Sequence, residues 1–225
     1  MDYLYLLLNL GSISIPFLFS FHPKLKFYKY WKSLFLAIAI TMFVFIVWDI
    51  VFAHIGVWGF NETYLIKLTL LGLPIEEWLF FICIPYACIF THYALLLYFP
   101  KLNIKISSVT KISYVLITVL LALSILNHGK WYTFINFLYA AVILILVLKT
   151  KPKLLQSYYL TFLIMLIPFF IVNGILTGSM IENEVVWYNN AENLNIRLFT
   201  IPIEDTVYAF SLILTNLFLM KLFTK

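Results

Sequence analysis

Charge is scarce in this chain. Asp, Glu, Lys and Arg supply 11% of its 225 residues, against roughly 25% in soluble domains, and this excludes a solvated globular surface. Only two cysteines occur, Cys83 and Cys88, both in one apolar segment. They offer no disulfide framework and no zinc-ligand spacing, and they read as small apolar packing residues. The four histidines, His22, His54, His92 and His128, are scattered and do not make the ligand set of a membrane di-iron enzyme. His92, sixteen residues past Glu76 and near the inner end of its segment, reads as an interfacial residue. No aspartate-rich diphosphate motif is present, which removes a metal-dependent prenyltransferase. The seven glycines form no G-x-G-x-x-G, so a dinucleotide fold is unsupported and no flavin or other cofactor is expected. The last apolar segment has only Lys221, at its inner end, whereas a retinal protein needs a buried lysine.

What is abundant is apolar surface. The chain is 64% hydrophobic and 19% aromatic, with a mean hydropathy of +0.99. Lipid offers the backbone no hydrogen-bond partners, so the fold class is all-α integral membrane. A crossing takes about 20 apolar residues, and the segments that qualify are 3–21, 31–53, 75–99, 109–126, 131–148, 155–175 and 203–222, seven transmembrane helices in all. Nothing basic precedes the first and no small-residue cleavage pattern follows it, so it is not expected to be a cleaved signal. The brief linker 127–130 makes the fourth and fifth helices a tight hairpin. The formal charge of +5 points to lysines at a lipid surface rather than to nucleic acid.

The basic residues set an orientation. With the N-terminus outside, all of them except Lys67, Lys130 and Arg197 fall in inner loops or at inner helix ends. By the positive-inside rule the chain runs from an outer N-terminus to a cytoplasmic C-terminus, in a bacterial or archaeal cell membrane. Every acidic residue, from Asp2 and Asp49 to Glu204 and Asp205, then lies outside or at an outer helix end.

Two outer segments resemble each other. Val57, Trp58 and Asn61 precede Pro74-Ile75-Glu76-Glu77; Val186, Trp187 and Asn190 precede Pro202-Ile203-Glu204-Asp205. Twelve residues separate Asn61 from Pro74, and eleven separate Asn190 from Pro202. This implies two parallel three-helix repeats, 1–102 and 129–225, joined by a connector helix in 103–128. An odd connector brings both acid pairs to one membrane face. The second outer loop either folds as a hairpin of "EVVWY" on "NIRLF" or stays irregular.

Proline followed by acids is also a plain helix start, matched to the macrodipole. That account leaves the recurrence behind the same loop unexplained. Adjacent residues point about 100° apart on a helix, so one acid of each pair enters the interior while its neighbour caps or supports it. Carboxyl groups facing a bundle interior are functional by default. Asp49 and Asn173, near equivalent helix ends, are placed either to hydrogen-bond to the acids or to sit in interfacial water; so is His54. Trp78, Phe80 and Phe81 follow the first acid pair and Tyr208 and Phe210 the second. Such residues are common at membrane interfaces, and aromatic faces also stabilise cations, with Trp58 and Trp187 of the two loops as further supporting candidates. Acid beside π-faces suits proton-initiated carbocation chemistry on an alkene.

These features resemble the membrane-integral lycopene cyclases, the heterodimeric type of actinobacteria and the related domains of archaea and fungi. The resemblance rests on "PIEE" at 74–77, "PIED" at 202–205, the "VNGILTG" run at 172–178 and the tandem repeat, and covers nearly the whole chain. It looks like both repeats fused, without the phytoene synthase domain of the fungal proteins. The resemblance implies a flavin-independent enzyme, an isomerase or intramolecular lyase, that cyclises the ψ-ends of lycopene to β-rings. Glu76, Glu77, Glu204 and Asp205 would be its acid/base set, and no metal is implied. Lycopene and the bilayer are the implied partners; carotenoid-pathway enzymes and a homo-oligomer stay open. The alternative is a pseudosymmetric transporter or carrier using paired carboxylates. It calls for helices broken at the midplane, for which Pro85 and Pro168 are the candidates.

Overall fold

The computed structural model describes residues 3–224; Asp2 and Lys225, both part of the charge argument, lie outside them. Seven helices account for most of the chain: α1 (Leu4–Phe19), α2 (Trp31–His54), α3 (Ile75–Tyr98), α4 (Ile106–Leu126), α5 (Trp131–Thr150), α6 (Pro152–Leu176) and α7 (Ile203–Phe223). Six are long and apolar enough to cross a membrane; α1, with 16 residues, is shorter. Large apolar side chains line their outward faces, as Phe43, Val47 and Val51 do along α2. That i, i+4, i+8 row belongs against lipid, because water would charge for its exposure.

Helices α3 and α7 form the centre of the bundle. Each repeat packs its first helix on its third, α1 on α3 and α5 on α7. The second helices cross over: α2 packs mainly on α7, and α6 on α3. The units are therefore interlocked, and α4 lies outside this arrangement, against α5 and α6. Phe45, Phe81, Tyr158, Phe210 and Leu214 fill the core between them.

Short strands organise the outer end. Thr69–Leu70 (β2) pairs with Leu73–Pro74 (β3), and Arg197–Leu198 (β5) with Ile201–Pro202 (β6). Each tight turn leads its proline directly into a helix, with Pro74 and Pro202 extended at the N-cap. Leu71 and Gly72 both have positive φ, the conformation a two-residue hairpin turn requires. The strands Trp58–Phe60 (β1) and Val186–Tyr188 (β4) pair with each other across the two repeats. The segment "EVVWY" therefore forms no hairpin with "NIRLF". Each strand finds its mate in the other repeat, and a 3₁₀ turn capped by Asn189 follows it.

This pairing corrects the register of the repeat. Asn61 N–H donates to the Val185 carbonyl and Asn189 N–H to the Val57 carbonyl, both at 2.9 Å. Asn61 and Asn189 each accept a bond from the backbone two residues on. The equivalents of Val57 and Asn61 are thus Val185 and Asn189, not Val186 and Asn190. The offset is 128 positions, the same that separates Glu76 from Glu204, and Lys67/Asn195 and Leu71/Phe199 repeat it as positive-φ pairs. Doubled residues, Val185-Val186 and Asn189-Asn190, admit the wrong alignment by one. In the true register Gly59 is equivalent to Trp187, and the two pair with each other, on the pseudo-two-fold axis. A Cβ on Gly59 would lie 2.3 Å from the Trp187 ring, so this position has to be glycine while the indole covers it.

Candidate active site

The first turns of α3 and α7 present their acids in the same way. Glu76 and Glu204 turn back into the loops that precede them. Glu76 Oε1 accepts the Ile66 N–H at 2.6 Å; Glu204 Oε1 accepts the equivalent Leu194 N–H at 2.7 Å and the Thr133 hydroxyl at 2.7 Å. Their backbone carbonyls accept from Asn9 Nδ2 at 2.8 Å and Asn136 Nδ2 at 2.7 Å. Both glutamates are fully buried and neither borders the cavity described below. They pin the outer loop and the first helix of each repeat to the start of the third. The Oε2 atom of each is buried without a hydrogen-bond partner among the described residues.

The second acids point the other way. Glu77 Oε2 accepts the Tyr5 hydroxyl at 2.5 Å, and the Asp49 carboxyl lies within hydrogen-bonding reach of Glu77. Asp49 also accepts the Tyr208 hydroxyl at 3.1 Å. Asp205 accepts three bonds: Tyr132 Oη at 2.5 Å, Asn173 Nδ2 at 2.8 Å and Tyr188 Oη at 3.0 Å. Asp49 and Asn173 thus occupy matching places beside Glu77 and Asp205. The symmetry is imperfect where it bears on chemistry. One half pairs carboxyl with carboxyl; the other pairs carboxyl with amide.

All three carboxyl groups open into a single cavity of about 470 Å³. Its walls are otherwise mostly apolar and aromatic, with Trp58, Phe60, Phe80, Tyr132, Tyr188 and Tyr208 around the acids. Trp58 meets the Tyr132 ring edge-on at 5.1 Å, and Tyr132 stacks on Tyr188 at 5.8 Å. Burial and the facing Asp205 push the Tyr188 hydroxyl well above its ordinary value, so it is a neutral donor. A carboxyl–carboxyl hydrogen bond needs a proton, because an ionised carboxylate only accepts. The Asp49–Glu77 contact can therefore store a proton, and Asp205, ringed by neutral donors, can hold charge.

Of the other residues singled out in the sequence, Trp187 lies over Gly59 and outside the cavity, 39% exposed. His54 is exposed. His92 is 1% exposed, with Nδ1 on the Thr161 hydroxyl at 2.8 Å, because α6 packs over that stretch of α3. Cys83 is buried, and Cys88 lines the inner part of the cavity. Pro85 and Pro168 sit inside continuous helices. Sequence reasoning missed Tyr5, Tyr132 and Tyr188. The first two carried a signal: Tyr5 and Asn9 recur, four apart, as Tyr132 and Asn136, one residue reaching each second acid and the other the carbonyl beside it.

The structure is thus that of a helical integral membrane protein made of two parallel repeats that share one acid-lined apolar cavity. The chain matches the family model described as Lycopene cyclase over residues 2–95 and 129–223. It belongs to the lycopene cyclase family, enzymes of carotenoid cyclisation. The two matched segments carry the two acid pairs and leave out α4. Comparisons with curated proteins and with solved structures returned no match.

Proposed function

We propose that the protein cyclises the ψ-ends of lycopene to β-rings, giving γ-carotene and then β-carotene, by proton transfer with no net redox change. The observation that carries this reading is the convergence of Asp49, Glu77 and Asp205 on one aromatic-lined cavity. The Asp49–Glu77 pair supplies a proton to the terminal double bond of the substrate. The cation so formed is attacked by the neighbouring double bond, closing the ring with a new C–C bond. Asp205 and the faces of Trp58, Phe80 and Tyr208 stabilise the positive charge. Loss of a proton to a carboxylate of the cluster restores a double bond, so product and substrate are isomers and the proton count balances. Glu76 and Glu204 hold the frame on which Glu77 and Asp205 are aimed.

Residues 1–102 and 129–225 act as the two repeat units around the 103–128 connector. The lysine distribution supports a cytoplasmic C-terminus and, with it, an acid cluster near the outer face of a bacterial or archaeal membrane. A carrier would need the cavity to open alternately to two aqueous sides; the bonds that fix both acids to Tyr5, Tyr132 and Asn173 favour a rigid reaction site. The test is expression in cells that accumulate lycopene, followed by pigment analysis. One- or two-ring products are expected without added flavin. Unchanged lycopene, with the protein present in the membrane, would count against the proposal.

A further inference from the structure

The cavity around the acids continues inward on one side only. It follows Gly11, Ser12 and Pro16 of α1 and Val172, Phe169 and Met165 of α6, over a floor of α3 and α7 that reaches Thr91. From Glu77 to Thr91 the helix rises roughly 21 Å at about 1.5 Å per residue. Helix α1 packs along α3 and makes no extended contact with α6. The groove therefore faces lipid between them, and the lining residues Leu7 and Ile15 are 62% and 66% exposed.

The pseudo-two-fold generates a second groove, between α5 and α2, and that one is filled. These two helices give the cavity only Tyr132 and Asp49. Tyr139 stands in α5 where α1 has Ser12, by the same offset that relates Tyr132 to Tyr5. Its ring meets Phe45 edge-on at 5.2 Å and Trp48 at 6.2 Å. Its hydroxyl is 3.0 Å from Thr215 Oγ1, and the open side has Ala87 in place of Thr215. Trp48, one residue before Asp49, takes the place of Val172, one residue before Asn173. On the open side the Ser12 hydroxyl is folded onto the Leu8 carbonyl at 2.7 Å, and a Cβ at Gly11 would meet nothing within 4 Å.

We propose that the α1–α6 groove is the single entrance and seat for the linear polyene of the substrate, which enters end-first from the lipid, while Phe45, Trp48 and Tyr139 close the opposite side. The proposal rests on the cyclase reading and adds its route. An apolar, acyclic polyene with only methyl side groups fits a narrow lipid-facing groove that ends at a proton donor. With one entrance and one acid cluster, only one end of the molecule reaches the acids at a time. A second ring requires release and re-entry, so the one-ring compound leaves the protein between steps.

The experiment uses membranes containing the full chain, supplied with lycopene, with product measured per amount of folded protein. Ser12→Tyr places in the open groove the residue that closes the other one. It lowers turnover by about a hundredfold, the scale on which displaced substrates lose rate. Leu10→Tyr, at a lipid-facing position of α1 outside the cavity, leaves turnover unchanged. If Ser12→Tyr does not accumulate, Gly11→Leu carries the same test. In a pulse of labelled lycopene chased with unlabelled excess, labelled one-ring product accumulates. Full turnover by the groove-filling variant, or labelled two-ring product that no chase diminishes, overturns the single entrance. A wild-type chain that forms no cyclised product overturns the cyclase reading, and the route with it.

Discussion

Replacing Glu77 with glutamine, and separately Glu76 with glutamine, tests how the work is divided within one acid pair. Glu77→Gln keeps the shape of the side chain and an oxygen that can accept from Tyr5. It removes the carboxyl proposed to share a proton with Asp49. General acid catalysis contributes about 10²–10⁴-fold, and turnover should fall by that factor while the protein still folds. Glu76→Gln is a different perturbation. The amide oxygen can still accept the Ile66 N–H, and the Asn9 bond goes to the backbone carbonyl. The loss is one hydrogen bond weakened, about 1 kcal/mol, or roughly 2–4 °C in Tm for a chain of this size. Turnover per folded molecule should stay within severalfold of wild type. The assay is product formation from lycopene in isolated membranes, normalised to folded protein by thermal melting in detergent. The division is refuted if Glu76→Gln loses turnover per folded molecule as deeply as Glu77→Gln.

Tyr132→Phe removes one of the three bonds to Asp205 and should slow cyclisation by about tenfold, as expected for a hydrogen bond to a charged group; Tyr5→Phe should act similarly through Glu77, both read in the same membrane assay. Gly59→Ala drives a methyl into the Trp187 indole and should destabilise by about 1–3 kcal/mol, the usual cost of overpacking. A melting series should show Trp187→Leu recovering much of that loss in the double variant. The raised value of the Tyr188 hydroxyl means that its neutral form is favoured by the fold. Its contribution is fully present below the unfolded value near 10.0 and is lost only as pH rises through the higher folded value. Ultraviolet titration should therefore show the tyrosinate absorbance missing in Tyr188→Phe to be one that appears only well above pH 10.

Much of this architecture is legible in the chain because lipid makes composition decisive. Seven apolar stretches between lysine-bearing loops become seven helices, and "PIEE" and "PIED" become equivalent helix starts. The register of the repeat was missed because Val185-Val186 and Asn189-Asn190 fit either alignment; the equal spacing of Asn61–Pro74 and Asn189–Pro202 carried the signal, and the hydrogen bonds Asn61–Val185 and Asn189–Val57 decide it. Which acid of each pair faces inward was not legible either. Helical geometry separates neighbours by angle but does not say which side holds the axis, and that depends on the interlocked packing of α2 on α7 and α6 on α3. Tyr5 and Tyr132 escaped notice because tyrosine near a membrane interface is ordinary; only the spacing to Asn9 and Asn136 sets them apart.

The differences between the halves bear on how a symmetric frame holds one shared cavity. The residues that build the frame are alike in both repeats: Glu76 and Glu204 on loop amides, Asn9 and Asn136 on backbone carbonyls, Pro74 and Pro202 at the helix entrances. Apart from the matching Tyr5 and Tyr132, the residues around the acids that face the cavity differ: Glu77 against Asp205, Asp49 against Asn173, Phe60 against Tyr188, Phe80 against Tyr208. Two carboxyl pairs in one small apolar cavity would bring four acids together, and their repulsion would favour keeping every proton. Asn173 removes one of them and gives Asp205 a donor that cannot itself ionise. Protonation and deprotonation of one substrate end need unlike groups at fixed distance, and a frame of equal halves supplies the fixed distance. Restoring symmetry by Asn173→Asp should therefore be more harmful than losing one hydrogen bond. Its turnover should fall below that of Asn173→Ala, whose missing amide costs Asp205 one donor of three. Equal or higher activity in Asn173→Asp would mean that the two halves need not be unlike.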